Sequence, residues 1–467
     1  MAEAGAVHGP LSAGPANGWS VTLAPDGLLR GSFAAGGSPA PARVEVRYEG
    51  ARWATLPVLD AGLDGPDPSF SGRLPPVRAA RRADVAVVDP ESGALLFERR
   101  AFDHQPQRNA LGLCAADVFA TVDRPLFAAP WLAFDGARLI ISGAHLPPGG
   151  DPARLSVRMA PGVRHAFRYP LPGPEFGTQF WFWPNAHLSN FILTIELAES
   201  AWGADPFCFD FVYADEAAPE LRQRVWLPSD LHSYVGHPHD VSQVRRTQGT
   251  LGQPSITLTG YSTFRTLEAM LARHGVHGAD APAILDWGCG HGRVTRHLLH
   301  HWPAADVFGA DVDAENIAWC RANMHRGTFV AVPLLPPTPL PAAHFDAVVA
   351  VSVMTHLTAA TQQAWLGELH RILKPGGVAL LTFGDASAAA YGSLWQGPGW
   401  WSGWLEAGFD DGIADPALNG KIGDDSYYRH TVQSAAFTRR EWSHLFEVVS
   451  IERDLIGNQS LAVLRRR

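Results

Sequence analysis

Three glycines stand at alternate positions in the run Leu285-Asp286-Trp287-Gly288-Cys289-Gly290-His291-Gly292-Arg293. The apolar Ala283-Ile284-Leu285 ahead of it reads as a short buried strand. Behind it, Val294, Leu298 and Leu299 recur at helical spacing. Strand, tight glycine turn and helix make a ligand loop, because glycine admits close backbone approach and a helix N-terminus offers free N–H groups. The spacing is G-x-G-x-G, whereas a dinucleotide loop needs G-x-G-x-x-G, and Arg293 stands where its last glycine would be. No Gly-Lys-Ser/Thr follows, so the phosphate-loop pattern is missing. Asp286 places a carboxylate inside the turn. That charge repels a pyrophosphate and suits a cationic or neutral ligand.

A second acid follows. Val307-Phe308-Gly309-Ala310-Asp311 reads as a second strand ending in a carboxylate. Its place, about twenty residues past the glycines, is where an acid meets ribose hydroxyls in doubly wound folds. S-adenosylmethionine carries a sulfonium and an ammonium group and no phosphate, which fits both acids. The glycine pattern resembles motif I of the class I S-adenosylmethionine-dependent methyltransferases. The run from about 281 to 383 resembles the whole domain. GCG-x-GR, the GADVD acid, Ser352-Val353-Met354-Thr355-His356-Leu357 and Lys374-Pro375-Gly376-Gly377 look like a branch often encoded with polysaccharide or glycan biosynthesis enzymes. The resemblance implies a cofactor site of Asp286, Trp287, Gly288, Cys289, Gly290, Arg293, Asp311, Val312, Ser352 and Val353. It departs at Val332-Pro333-Leu334-Leu335-Pro336-Pro337, where the family often shows an acid or amide near adenine. Adenine contact there is expected from backbone and apolar surface.

Methyl transfer to an alcohol also needs a proton removed, most simply by histidine. His356, just past the fourth strand Phe345–Val351, is the first candidate base, and His430 the second. A long insertion, 384–432, separates the fifth strand from the last helix. A loop of that length is more often functional than idle. Trp400, Trp401, Tyr427, Tyr428 and Arg429 in it are the expected substrate contacts. His237-Pro238-His239-Asp240, Asp410-Asp411 and Asp424-Asp425 have no recognised metal spacing, so no metal is expected.

The elements that must position these groups make a mostly parallel seven-stranded sheet, a Rossmann-like α/β domain over 281–467. Thr358 can cap a helix bearing Trp365, Leu366, Leu369, Ile372 and Leu373. Residues 215–280 read as a helical lead-in. The first half is different: short alternating segments broken by Gly and Pro read as all-β. Asp26-Gly27 with Pro41-Ala42-Arg43-Val44-Glu45-Val46-Arg47 recurs as Asp135-Gly136 with Pro152-Ala153-Arg154-Leu155-Ser156-Val157-Arg158. Two Ig-like sandwiches are expected, at 15–102 and 125–214, with 103–107 linking them. In the second, Phe180-Trp181-Phe182-Trp183 is read as a strand with Phe on one face and Trp on the other. One aromatic face is available for packing or for sugar stacking.

Composition bounds the partners. The chain has 467 residues, 46% hydrophobic and 18% charged, with net charge −9. No basic stretch runs along it, which argues against nucleic acid. No apolar run of about 20 residues suggests a membrane span, and no secretory signal is expected. Four scattered cysteines form no framework, so a cytoplasmic protein is expected. The reading is a methyltransferase acting on a sugar or glycan hydroxyl. Alternatives are a small natural product or protein side chain as acceptor, or a non-catalytic glycan-binding scaffold. The β modules would mediate oligomerisation, glycan binding or contact with biosynthetic partners.

Overall fold

The computed structural model describes residues 11–16, 18–34, 40–59, 67–122, 125–134, 138–196, 207–214, 222–227, 238, 240–248 and 253–467. The C-terminal domain is built on a seven-stranded sheet. From one edge the strands are Thr328–Ala331, Asp306–Asp311, Ala283–Trp287, Phe345–Ala350, Leu373–Gly384, Gln459–Arg466 and Phe446–Ile456. The first five pair in parallel, and Gln459–Arg466 runs against both its neighbours. Every residue of Ala283–Trp287 is buried. Parallel strands covered on both faces need such continuous apolar runs. One face packs on Trp365, Leu366, Leu369 and Ile372 of the helix Ala359–Ile372. The other packs on Tyr261, Phe264, Leu267 and Leu271 of the helix Gln253–Arg273. Strand order reverses between Ala283–Trp287 and Phe345–Ala350. Ligands sit beyond the carboxyl ends of the strands at such a switch point, and there the chain carries the glycine loop and Ser352.

Ahead of this domain lie two β modules, each a pair of sheets sharing one core. In the first, the sheets order as Leu11–Ala16, Trp19–Leu23, Leu28–Phe33, Ser69–Arg73 and as Ala51–Pro57, Arg43–Tyr48, Arg81–Val88, Leu95–His104. Trp19, Phe33 and Phe70 of one sheet meet Val44, Leu56 and Val85 of the other. In the second, His165–Leu171, Asn190–Glu196, Arg138–Leu146 and Leu126–Phe134 face Leu155–Arg158, Phe207–Tyr213 and Arg222–Leu227. This module runs past the expected boundary at 214. Val225 and Leu227 alternate into its core, and Arg224 holds Asp210 through two bonds of 2.7 and 3.0 Å. The helical lead-in therefore starts later, with the helices Val241–Gln248 and Gln253–Arg273. Both PAR-x-x-VR repeats lead into equivalent strands, Arg43–Tyr48 and Leu155–Arg158, the first of each second sheet. Asp135-Gly136 of the second copy lies outside the described residues.

The aromatic run does not form a strand. Phe180, Trp181, Phe182 and Trp183 follow the short helix Pro174–Gln179 as turns, and all four are buried. They join one cluster with Trp400, Trp401 and Trp404 of the insertion helix Gly397–Ala407. Of the two uses open to the run, packing is the one it serves, and no face of it is open for sugar stacking. The expectation of Trp400 and Trp401 as substrate contacts is corrected, since both are buried in this junction, 5% and 4% exposed. Burial of so much apolar surface outweighs alternation. Asn109 Nδ2 also donates to the Ser393 carbonyl at 3.2 Å across the same junction. The second module is thus welded to the insertion. Trp401→Phe is expected to lower stability by about 1–2 kcal/mol. Differential scanning calorimetry checks this, and an unchanged transition temperature would show that the junction contributes nothing.

Candidate functional site

A cavity of about 310 Å³ opens at the switch point, and all ten positions expected to hold the cofactor line it. The strand Ala283–Trp287 delivers Asp286 and Trp287 at its end. The turn after it is held by its own backbone. Gly288 and Cys289 donate N–H to the Ala310 carbonyl at 2.7 and 3.1 Å, and Gly290 donates to Asp311 Oδ2 at 2.7 Å. Those three N–H groups are the ones a phosphate loop would aim at its ligand. Here the protein consumes them, so the loop fits a phosphate-free adenosyl ligand. Gly288 has φ +74°, and a Cβ there would meet Val353 Cγ2 at 2.2 Å. No side chain is tolerated at that contact, which closes the wall between loop and fourth strand.

Asp311 accepts from Gly290 N–H through Oδ2 and from Asp313 N–H, at 2.8 Å, through Oδ1. Each carboxylate oxygen keeps a further lone pair. Both remain available to ribose hydroxyls. Burial pushes its pKa up to about 6, against the opposing pull of the two N–H groups. Burial likewise raises Asp286 to about 6, while the Thr295 hydroxyl donates to Asp286 Oδ2 at 2.6 Å and draws it back down. Two acids on one cavity match the cationic end and the ribose of S-adenosylmethionine. Val332 to Pro337 do not line the cavity. Trp365 and Tyr427 close that side instead, with the indole N–H donating to the Tyr427 hydroxyl at 3.0 Å and to the Leu334 carbonyl at 3.1 Å.

The insertion reaches back over the cavity with Asp415, Ala417, Leu418, Tyr427 and Tyr428. His356 stacks on Tyr428 with ring centroids 4.0 Å apart and planes at 12°. Its Nδ1 lies 2.9 Å from the Arg429 carbonyl oxygen, which can only accept, so Nδ1 carries the proton. Asp415 Oδ2 lies 3.5 Å from the same atom. Nε2 is then the unprotonated nitrogen. It bonds to none of the described residues and is not sealed from solvent. Burial lowers the His356 pKa to about 4, with Asp415 opposing. The ring is therefore neutral near pH 7.

His430 and Arg429 do not line the cavity. His430 meets Asp415 at 3.6 Å from the outer side, and the Arg429 guanidinium donates to the Asp411 carbonyl at 2.8 Å. Tyr427 and Tyr428 do line it. Among the described residues no cluster of His, Cys, Asp and Glu is placed to hold a metal, and His237 and His239 lie outside them. Two residues of the cavity lining are invisible to motif reading. Asp415 is one of many loop acids and reaches His356 only through the fold. Arg246, from the lead-in helix, lines the cavity and grips Asp313 at 3.0 Å and Glu315 at 2.7 Å. A lone arginine in a polar helix carries no signal of that pairing.

Residues 284–377 match the family model described as Methyltransferase domain. A trans-aconitate 2-methyltransferase of Azoarcus sp. strain BH72 is 36% identical over 99 residues, which is 21% of this chain and 38% of that protein. An uncharacterized methyltransferase of Synechocystis sp. is 31% identical over 95 residues, covering 20% of this chain and 43% of that one. This chain therefore spans well under half the length of the curated relatives it matches. Among solved structures, the PH0226 protein of Pyrococcus horikoshii OT3 aligns with 44% of this chain and 91% of its own, at TM-score 0.32 and 19% identity. The N-methyltransferase NodS of Bradyrhizobium japonicum WM9, solved with S-adenosylhomocysteine, aligns with 43% and 86%, at TM-score 0.29 and 16% identity.

Proposed function

We propose that this chain, which carries a methyltransferase domain with S-adenosylmethionine as methyl donor, methylates a neutral hydroxyl oxygen, most simply that of a sugar or glycan. The observation that carries the reading is His356. Its proton is fixed on Nδ1 by the Arg429 carbonyl, its Nε2 bonds to none of the described residues, and it lines the cavity that holds the glycine loop. When bound, the cofactor supplies an already activated methyl group. Asp311 and Asp286 hold its ribose and cationic end. His356 Nε2 takes the hydroxyl proton as the oxygen attacks, and Asp415 offsets the positive charge that forms on the ring. Leu357, Leu418 and Val353 keep the acceptor end dry.

One observation favours a second reading. Arg245 lines the cavity and is exposed. It would recognise a carboxylate, the acceptor class in the name of the Azoarcus relative. The test is methyl transfer from tritiated S-adenosylmethionine to methyl glycosides and, separately, to trans-aconitate. Labelled glycoside supports the hydroxyl reading; labelled ester alone overturns it. No binding of S-adenosylhomocysteine by calorimetry would leave the scaffold reading standing.

For the modules we read Ig-like sandwiches. The second orders its strands, counted along the chain, as 4-5-2-1 facing 3-6-7, the arrangement of constant-type Ig domains. The second holds the insertion over the site, and both leave other faces for partners. A cytoplasmic setting agrees with four unpaired cysteines. No helix among the described residues is long and apolar enough to cross a membrane.

A further inference from the structure

Ser352 follows the fourth strand, Phe345–Ala350, on the cavity wall, and its backbone is left-handed at φ +60°. A serine in that region costs of order 1–3 kcal/mol and persists only where its surroundings impose it. Two residues impose it. Ser352 N–H donates to Thr382 Oγ1 at 2.8 Å. Thr382 Oγ1 lies 2.7 Å from Gln459 Oε1, and Gln459 Nε2 lies 2.6 Å from Ser352 Oγ. Thr382 comes from the fifth strand and Gln459 from the strand that runs against it.

Proton counting gives this ring a direction. Gln459 Oε1 can only accept, so the Thr382 hydroxyl must donate to it. Gln459 Nε2 can only donate, so Ser352 Oγ must accept. The Ser352 hydroxyl proton is left over, and it donates to none of the described residues. We propose that Ser352 presents this O–H into the cavity as a donor to the methyl acceptor, and that Gln459 and Thr382 are positioning residues that aim it. The inference rests on the reading of this cavity as a methyltransferase site. It narrows the acceptor to a group offering an oxygen lone pair beside the reacting atom, as a diol or sugar does. An ammonium, with donors only, would be refused.

Gln459→Glu is the sharpest test. An ionised carboxyl only accepts, so it would draw both the Thr382 and Ser352 protons and turn the latter away from the cavity. Protonating that carboxyl at lower pH restores one donor and the original direction. With methyl glycosides as acceptors, Gln459→Glu and Ser352→Ala should each lose about tenfold in kcat/KM at pH 8. Their loss should lie mainly in KM. Glycoside binding to protein loaded with S-adenosylhomocysteine, read by saturation-transfer NMR, should weaken in parallel. In Gln459→Glu the affinity for S-adenosylhomocysteine should stay within about twofold, and the glycoside loss in this variant alone should shrink on acidification. Equal glycoside kinetics in wild type and both variants would overturn the proposal while leaving the methyltransferase reading intact. A loss in Gln459→Glu that ignores pH would also overturn it, as mere disturbance of the strand end. A wild type that binds S-adenosylhomocysteine but methylates no glycoside removes the hydroxyl reading and this proposal with it.

Discussion

Asp311→Asn weakens S-adenosylhomocysteine binding by about 10²–10⁴-fold. The carboxylate keeps a free lone pair on each of its two oxygens, both fixed by backbone N–H groups at 2.7 and 2.8 Å. Two charge-assisted hydrogen bonds to a ribose are worth about 1.5–3 kcal/mol each. At about 1.4 kcal/mol per tenfold, their sum gives that range. The amide would still satisfy one of the backbone donors but would turn an N–H towards the other. A melting curve of the variant separates loop damage from ligand loss. A pH series adds an independent reading. Asp311 sits at about 6 without ligand, through burial, and must be ionised to accept both hydroxyls. Above pH 7 it is ionised already and affinity is flat. As pH falls through 6 a proton must leave on binding, so Kd rises by about tenfold per pH unit. Asp286, also raised to about 6, steepens the slope if its charge is needed too. Asp311→Asn should reduce the slope to the part that Asp286 supplies. Isothermal titration from pH 5 to 8 measures it, and a wild-type Kd that does not change between pH 7 and 5 would sink the assignment.

The half of the cavity proposed for the cofactor was readable from the chain as one lining because its groups are neighbours in sequence. Asp286 to Arg293 is one turn, and Asp311 follows within a single crossover, so glycine spacing and strand periodicity carry the geometry. The acceptor half was not. His356 is set by Asp415 and Arg429, some sixty to seventy residues on, and no local pattern joins them. Trp400 and Trp401 misled because Gly-rich aromatic loops suit either a cleft or a junction, and only the position of Phe180 to Trp183 decides between them. The same aromatics defeated the strand reading. Alternating Phe and Trp are all apolar and so fix no period, and the run packs as turns after the helix Pro174–Gln179. The end of the second β module was missed because Arg222–Leu227 is separated from its sheet partner Phe207–Tyr213 and reads alone as polar.

His356→Ala lowers kcat for a hydroxyl acceptor by about 10²–10³-fold at pH 7.5 while leaving S-adenosylhomocysteine affinity close to wild type. General bases contribute about 10²–10⁴, and a base kept weak by burial belongs in the lower half. Added imidazole should restore part of the rate, since the space the ring leaves adjoins the cavity. The pH profile distinguishes a base from a packing residue. Its pKa, lowered to about 4, keeps the ring neutral down to about pH 5, so kcat at saturating cofactor should stay level from pH 8 to 5. The acid fall in kcat/KM for the cofactor, near pH 6, belongs to Asp311 instead. Asp415 is the charge that holds the ring's pKa from dropping further. Asp415→Asn should therefore move the acid limb of kcat lower still and cost about tenfold in rate. A carboxylate acceptor inverts the expectation, because it arrives ionised and has no proton to give. If the natural acceptor is such an acid, His356→Ala leaves ester formation nearly untouched and imidazole adds nothing. The ratio of the two losses, glycoside against trans-aconitate in the same variant, then reads the acceptor class directly from the chemistry of one nitrogen.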